Sequence, residues 1–102
     1  MAIAQLTVVP LGTGSTSLSA YVAQIQRELA ELGLTYTLTP MGTVLEGSVP
    51  DLLAAVARLH ELPFTQGAQR VMTLLNLDDR RDKAATAQGK LDSVRRRLAE
   101  DA

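Results

Sequence analysis

One carboxylate of the chain stands inside a predicted strand rather than on a loop. Glu46 belongs to segment 43–49, and Thr37 and Thr39 of the preceding strand would lie beside it in a hairpin. Because a partly buried carboxylate needs a partner, an acid among hydroxyls could bind a cationic or amine-bearing ligand. The alternatives are a salt bridge to Arg70 and an edge charge that prevents aggregation.

Charged residues alternate at the end of the last predicted strand, from Asp78 to Lys83. Paired carboxylates can hold a metal ion or do acid–base work, but here arginines adjoin them directly. We therefore expect ion pairs and helix capping first, and salt bridges between subunits next. The candidate interface or anion-binding residues are Arg70, Asp78, Asp79, Arg80 and Arg81.

His60 and a glycine-rich loop are the remaining candidates for chemistry. The single histidine lies near the end of a predicted helix, and a chain with no cysteine and one histidine lacks the ligands of a zinc site. Loop 12–17 joins a strand to a helix, where backbone amides can bind an anion. It has neither the lysine of a P-loop nor a dinucleotide-binding spacing, so a turn capping the helix through Ser17 is the other interpretation.

Length and composition indicate one small globular domain over residues 1–102, with 46% hydrophobic and 21% charged residues. Nucleic-acid binders normally carry a basic excess and stacking aromatics, whereas this chain has a net charge of −1 and three aromatic residues. No apolar run approaches about 20 residues, so we expect a cytoplasmic protein that does not contact a membrane. Area scaling predicts a folded surface of roughly 5,600 Å².

Apolar periodicity predicts the order β-α-β-β-α-β, followed by a last helix. Strand patterns cover 2–10, 34–40, 43–49 and 69–79, and helical stripes follow the first and third of them. The last strand has little alternation, which indicates burial on both faces. The second helix should begin at Pro50 and end at Pro63. Asp82 should cap the last helix, whose stripe is Ala87, Leu91, Val94 and Leu98.

This order predicts an α+β fold, a ferredoxin-like βαββαβ sandwich with an extra C-terminal helix and a four-stranded antiparallel sheet. Right-handed crossovers place the first two helices on one face, with the two strands that precede them at the centre. The opposite face would carry uncovered apolar side chains, which is rare on a monomer. The third helix or another subunit's sheet must cover it. We therefore expect a homo-oligomer, formed as a dimer through the sheet and then as a dimer of dimers.

Four segments together carry a resemblance to a known family. They are LTVVPLGTGSTSLSAYV (6–22), LTYTLTPMGTVLEG (34–47), LHELPFTQGAQRVMTLLNLDDRRDK (59–83) and KLDSVRRRL (90–98). Over nearly the whole chain they resemble the thiamine-binding-protein family of the YkoF-like superfamily. The resemblance implies the ferredoxin-like fold, homotetramers of sheet-packed dimers, and non-catalytic binding of thiamine or its hydroxymethylpyrimidine part in a carrier, scavenging or regulatory role.

Under this resemblance, the chemistry of thiamine suggests the ligand-binding residues. The cationic thiazolium needs a carboxylate or an aromatic face, and the aminopyrimidine needs acceptors for its amine and a donor for a ring nitrogen. The predicted set is Ser17, Tyr21, Tyr36, Thr37, Met41, Gly42, Thr43 and Glu46. Only Arg70 and the Arg80 cluster could bind a pyrophosphate arm, so thiamine or the pyrimidine is favoured over the diphosphate.

Two other functions stay open at the level of sequence. A structural or oligomeric interaction module would use the same polar residues only to specify an oligomer, without a pocket and with charge pairs across subunits. An enzyme on this scaffold would need a titrating group such as His60 or Glu46 in a cleft. We expect no enzymatic activity, no metal and no cofactor.

Overall fold

A computed structural model describes residues 1–83 and 86–100 of the chain. The element order is β1 (Ala2–Leu11), α1 (Ser19–Leu32), β2 (Thr35–Thr39), β3 (Gly42–Gly47), α2 (Val49–Thr65), β4 (Arg70–Asp79) and α3 (Ala87–Glu100). The predicted α+β fold, with a βαββαβ order and an extra C-terminal helix, is confirmed.

The four strands form one antiparallel sheet in the order β2-β3-β1-β4. Its two central strands, β1 and β3, are the strands that precede helices, as predicted. Successive side chains of a strand point to opposite faces, so every second residue of β1 faces α1 and α2. An ion pair between Glu28 and Arg58 also joins these two helices. The buried core comprises Ala2, Ala4, Leu6, Val8, Ile25, Leu29, Leu45, Leu52 and Leu59.

The other face of the sheet, which we call the open face, bears the alternate side chains of the same strands. The strand register places Val9 beside Met72 and Thr7 beside Leu74 on this face. The prediction that β4 is buried on both faces is wrong for the single chain, because Met72 and Leu74 are each 49% exposed. Apolar residues on both faces of β4 removed the alternation that marks a half-exposed strand. The open face also carries Ile3, Gln5, Thr37, Val44, Glu46, Asn76 and Asp78.

Two predictions about the ends of α1 and α2 are wrong. Leu18, rather than Ser17, occupies the N-cap position of α1 and makes no side-chain capping bond. The Ser17 hydroxyl lies 3.4 Å from Ser19 Oγ, and the Ser17 amide donates to Ser15 Oγ (3.1 Å) within the preceding loop. Helix α2 continues through Pro63 to Thr65. In the last turn a proline removes a single backbone hydrogen bond, and Pro63 is among the most deeply buried residues.

Helix α3 begins later than the Asp82 cap predicts, and that prediction is also wrong. The Asp82 carboxylate is bound to Arg80 instead. At the start of α3, Thr86 Oγ1 accepts a hydrogen bond from the Gly89 amide (2.9 Å). Glu46 Oε1 of β3 accepts one from the Ala87 amide (2.8 Å). The first turn of α3 is therefore anchored at the open face.

Candidate ligand-binding site

A cavity of about 290 Å³ lies between α1 and the hairpin formed by β2 and β3. This volume is at the lower end of the roughly 300–1,000 Å³ that is typical of ligand sites, so the cavity suits a ring-sized molecule. Most of its wall is apolar, and β1 closes its base. Its principal apolar residues are Leu6, Val8, Leu18, Val22, Ile25 and Leu38.

Thr7 and Thr39 both contribute to the wall of the cavity, but their hydroxyls are engaged in holding the hairpin turn. Thr39 Oγ1 donates to the Gly42 carbonyl (2.8 Å) and accepts from the Met41 amide (3.3 Å). Thr7 Oγ1 donates to the Met41 carbonyl (3.3 Å). Because each hydroxyl has one hydrogen to donate, neither of these can donate another bond to a ligand without releasing the turn.

Gln26 and Thr43 keep hydrogen-bonding capacity in the same cavity. Gln26 Nε2 donates to Thr43 Oγ1 (2.9 Å), and Thr43 is only 4% exposed. Gln26 Oε1 is buried and has no hydrogen-bond partner among residues 1–83 and 86–100. Buried polar atoms are normally paired, so the pair offers a ligand one acceptor, Gln26 Oε1, and one donor, the Thr43 hydroxyl.

Gly42 allows the hairpin to approach β1 closely at this point. A Cβ atom on Gly42 would lie 2.9 Å from Thr7 Oγ1 and 3.0 Å from the Leu6 carbonyl oxygen. Both distances are shorter than ordinary contacts, so any larger residue would push the turn away from β1. The shape of the cavity therefore depends on a glycine here.

The predicted ligand-binding residues do not form one site. Met41, Gly42 and Thr43 line the cavity described above. Tyr36 packs against the buried core, and Tyr21 lines a different cavity with Arg70, beside the loop that follows β1. Ser17 is exposed in that loop.

Thr37 and Glu46 lie on the open face, on the opposite side of the sheet from the cavity. The short turn pairs Thr39 with Gly42, so Glu46 stands opposite Thr35 rather than beside Thr37 and Thr39 as predicted. The alternative ion pair with Arg70 is excluded, because Arg70 pairs with Leu11 and Glu46 with Ile3.

The partners of Glu46 and Arg70 on β1, Ile3 and Leu11, are eight residues apart, which is roughly 26 Å along the strand. The Glu46 carboxylate instead binds the start of α3. Its predicted role in ligand binding stays a prediction.

The charge cluster after β4 forms ion pairs, as its residue pattern indicates. Arg80 Nε lies 2.6 Å from Asp82 Oδ1, and this contact lowers the pKa of Asp82 to about 2. Arg81 Nη2 lies 2.7 Å from Asp79 Oδ2 and holds the pKa of that carboxyl below its usual value. Lys90 of α3 pairs with Asp78.

His60 lies away from the cavity, on the side of α2 that faces β4. Its Nδ1 is 2.6 Å from Thr73 Oγ1, and its ring meets Phe64 edge-on, with centroids 5.6 Å apart. Among the described residues, no three acidic or histidine side chains gather as a metal site would require. In the same part of the chain, no helix has the length and apolarity needed to cross a membrane.

Comparison with known proteins identifies the family. A family model described as thiamine-binding protein matches residues 4–95. The chain belongs to the thiamine-binding protein family. The UPF0045 protein YqgV of Bacillus subtilis is 47% identical over 96% of this chain and 98% of its own length. A UPF0045 protein of Methanothermobacter thermautotrophicus is 43% identical over 96% of this chain and its whole length.

Solved structures of similar proteins share the architecture of this family member. The hypothetical protein MJ1052 of Methanocaldococcus jannaschii has a TM-score of 0.81 and 32% identity, over 91% of this chain and 94% of its own. A Thermotoga maritima protein, provisionally named for thiamine biosynthesis or salvage, has a TM-score of 0.75 and 20% identity, over 91% and 97% of the two chains. At that identity the second likeness concerns the fold alone.

Among the described residues, Gln26 is the cavity residue with an unpaired buried polar atom, and the sequence predictions missed it. It follows Ile25 and lies four residues after Val22, so it borders the apolar stripe of α1. A neutral amide at the border of a buried stripe is a usable signal, because such a group needs a partner inside the protein.

Proposed function

We propose that this member of the thiamine-binding protein family binds thiamine, or its hydroxymethylpyrimidine part, in the cavity between α1 and the β2–β3 hairpin. We propose that it does so without catalysis, in a carrier, scavenging or regulatory role. The observation that carries the proposal is the free acceptor of Gln26 beside the free donor of Thr43 in an apolar cavity.

An aminopyrimidine edge has the complementary pattern. Its exocyclic amine donates a hydrogen bond, and the adjacent ring nitrogen accepts one. Gln26 Oε1 would accept from the amine, and the Thr43 hydroxyl would donate to the ring nitrogen. The ring itself would pack against the apolar wall, which supplies affinity but no orientation.

The charge of the site favours the pyrimidine part over the diphosphate. None of the described residues that line the cavity is charged, and a phosphate arm would need cationic partners. Met41, 80% exposed, stands at the rim, where a thiazolium ring could extend toward water. The proposed binding residues are thus Gln26, Met41, Gly42 and Thr43. The other predicted ligand residues are Ser17, Tyr21, Tyr36, Thr37 and Glu46, which lie elsewhere and stay predictions.

Calorimetry on two variants of one residue tests this site. Gln26→Leu removes the acceptor and should weaken binding of hydroxymethylpyrimidine and thiamine by tenfold or more, about 1.4 kcal/mol. Gln26→Glu keeps an acceptor oxygen but cannot donate, so it should retain measurable binding. Gln24→Leu is the matched control, because Gln24 lies two residues away and bonds to Gln66 instead.

The outcomes separate the site from the function. Binding that is lost equally in Gln26→Leu and Gln24→Leu would contradict the assignment of Gln26. Binding that is unchanged in Gln26→Leu would keep the function and remove this site. The absence of binding for every thiamine-related ligand would contradict the proposed function.

Self-association is the second candidate function, because the open face of the sheet and one side of α3 both expose apolar side chains. Met72 and Leu74 represent the first surface, and Val94 and Leu98 the second. We propose a homo-oligomer built as a dimer through the sheet and extended to a tetramer. The expected cytoplasmic location stays a prediction.

A further inference from the structure

Among the described residues, the side-chain amide of Gln26 has one hydrogen-bond partner. Its Nε2 donates to Thr43 Oγ1 (2.9 Å), whereas its buried Oε1 bonds to nothing in this part of the chain. The last side-chain torsion of glutamine has two nearly equivalent orientations, and half a turn about it exchanges the nitrogen and the oxygen. Because Oε1 is not bonded to the rest of the described protein, this rotation breaks no second contact.

Thr43 can follow the rotation of Gln26, because a hydroxyl both donates and accepts hydrogen bonds. In the orientation that the structure shows, Thr43 Oγ1 accepts from Gln26 Nε2, and the hydroxyl hydrogen is available to a ligand. After the rotation, the hydroxyl donates to Gln26 Oε1 and presents a lone pair to the ligand instead. The bond between the two side chains is kept in both arrangements, with its direction reversed. We call this change the inversion.

The two arrangements present opposite hydrogen-bonding patterns to a ligand in the cavity. In the first, the Gln26 amide offers an acceptor and the Thr43 hydroxyl a donor, which matches an amine next to a bare ring nitrogen. In the second, the amide offers a donor and the hydroxyl an acceptor, which matches a carbonyl oxygen next to a ring N–H. Aminopyrimidines have the first kind of edge, and oxopyrimidines in their lactam form have the second. The same two residues are therefore complementary to both.

The rest of the cavity wall does not select between the two kinds of edge. Its apolar side chains, such as Val22 and Ile25, provide contact area without polarity. The Thr39 hydroxyl is engaged at the hairpin turn, where it donates to the Gly42 carbonyl and accepts from the Met41 amide. None of the described residues that line the cavity carries a charge that would favour an amine over an oxygen. Discrimination between the two ligands therefore depends on the Gln26–Thr43 pair.

We propose that the Gln26–Thr43 pair undergoes this inversion, and that the cavity therefore binds oxopyrimidines as well as aminopyrimidines. This second class of ligand rests on the proposed function and widens it, since both classes occupy the same site. A pair with fixed polarity would leave two buried groups mismatched against an oxopyrimidine, which would then bind about a hundredfold more weakly. For a pair that inverts, we expect the two affinities to lie within about tenfold of each other.

Calorimetry with two matched ligands tests the inversion. The probes are hydroxymethylpyrimidine and the same molecule with a carbonyl oxygen in place of its amine. Both should bind the natural chain, with dissociation constants within about tenfold of each other. An oxo ligand that binds more weakly than this, or not at all, would overturn the inversion and leave the proposed function standing. Failure of the amino ligand to bind would overturn both.

Gln26→Glu fixes the polarity of the pair, because an ionised carboxylate accepts hydrogen bonds and cannot donate them. At a pH of about 8, well above the usual pKa of glutamate, the variant should lose at least about tenfold more affinity for the oxo ligand than for the amino ligand. Gln24→Glu is the matched control, since it adds the same charge on a side chain that bonds to Gln66, and it should leave the ratio unchanged. Equal losses for both ligands in Gln26→Glu would overturn the inversion.

NMR spectroscopy of the natural chain gives a readout that needs no variant. In the complex with the amino ligand, the Gln26 Nε2 hydrogens should show their strongest nuclear Overhauser effects to Thr43. In the complex with the oxo ligand, the strongest effects should be to the ligand, because the nitrogen then points toward its carbonyl. The same pattern of effects in both complexes would overturn the inversion.

Discussion

At the scale of single residues, a polar side chain can bind a ligand only with the hydrogen-bonding capacity that the fold leaves unused. Thr39 and Thr7 contribute to the wall of the cavity, but the Thr7 side chain lies on the open face and both hydroxyls already hold the turn at Met41. Gln26 and Thr43 bond to each other and still keep one acceptor and one donor. The second pair is therefore the better probe of binding, although all four residues are neutral and polar.

The ion pair between Arg80 and Asp82 predicts an unusually acidic carboxyl. The Arg80 guanidinium lowers the pKa of Asp82 to about 2 from a usual value of 3.8. Because the folded pKa is the lower one, the stabilisation is fully present above the unfolded value and is lost as the pH falls through about 2. An NMR titration of the Asp82 carboxyl carbon should show this midpoint.

The control for this titration is Arg80→Gln, which removes the cation and keeps a polar side chain that can donate hydrogen bonds. The pKa of Asp82 should then rise toward 3.8. A midpoint near 3.8 in the natural chain would show that the ion pair does not form in solution.

At the scale of elements, the β2–β3 hairpin depends on its close contact with β1. Gly42→Ala would place a methyl group 2.9 Å from Thr7 Oγ1. We expect the free energy of unfolding to fall by about 1–3 kcal/mol, the usual cost of overpacking, and ligand affinity to fall as the turn moves. Urea denaturation and calorimetry measure these two effects.

Gly47→Ala is the control for this substitution, at the other end of β3. A Cβ atom there meets its nearest neighbour, Leu34 Cδ2, at 3.4 Å, which is ordinary contact. The control should therefore change stability little. Equal losses in both variants would contradict the close approach to β1 as the cause of the loss at Gly42.

The order of the elements was predictable because each carries its own periodicity. The stripe of α1 and the alternation of β2 are local patterns, and the sheet order follows from general rules of handedness. The ends of elements were less predictable, because they depend on tertiary contacts. Pro63 does not end α2, and its side chain is buried within the last turns of that helix. The Asp82 carboxylate binds Arg80 and does not cap α3.

At the scale of the whole molecule, the stability lost on substituting a leucine should depend on protein concentration for an exposed leucine and not for a buried one. Leu52→Ala, at a fully buried position, should cost about 2–5 kcal/mol at every concentration. Leu91→Ala should cost less than about 0.5 kcal/mol in the dilute monomer. It should cost more where dimers form, since association adds to apparent stability. Denaturation at two protein concentrations measures both effects.

A loss of stability for Leu91→Ala that is the same at both concentrations would show that α3 packs within its own chain.

The candidate site was less predictable from the sequence than the order of the elements, because it depends on contacts between distant parts of the chain. A carboxylate in a strand is unusual and makes Glu46 a candidate, yet only the register shows that it lies across the sheet from the cavity. Gln26 and Thr43 are seventeen residues apart, and no local pattern joins them.

The hydrogen bond from the Ala87 amide to Glu46 also has a consequence for the expected order of folding. Its two residues are 41 positions apart, and the acceptor reaches its place only after β3 has paired with β1. Closing a loop of this length has an entropic cost that local helix formation does not have. We therefore expect the anchored start of α3 to form late in folding, on a sheet that already exists.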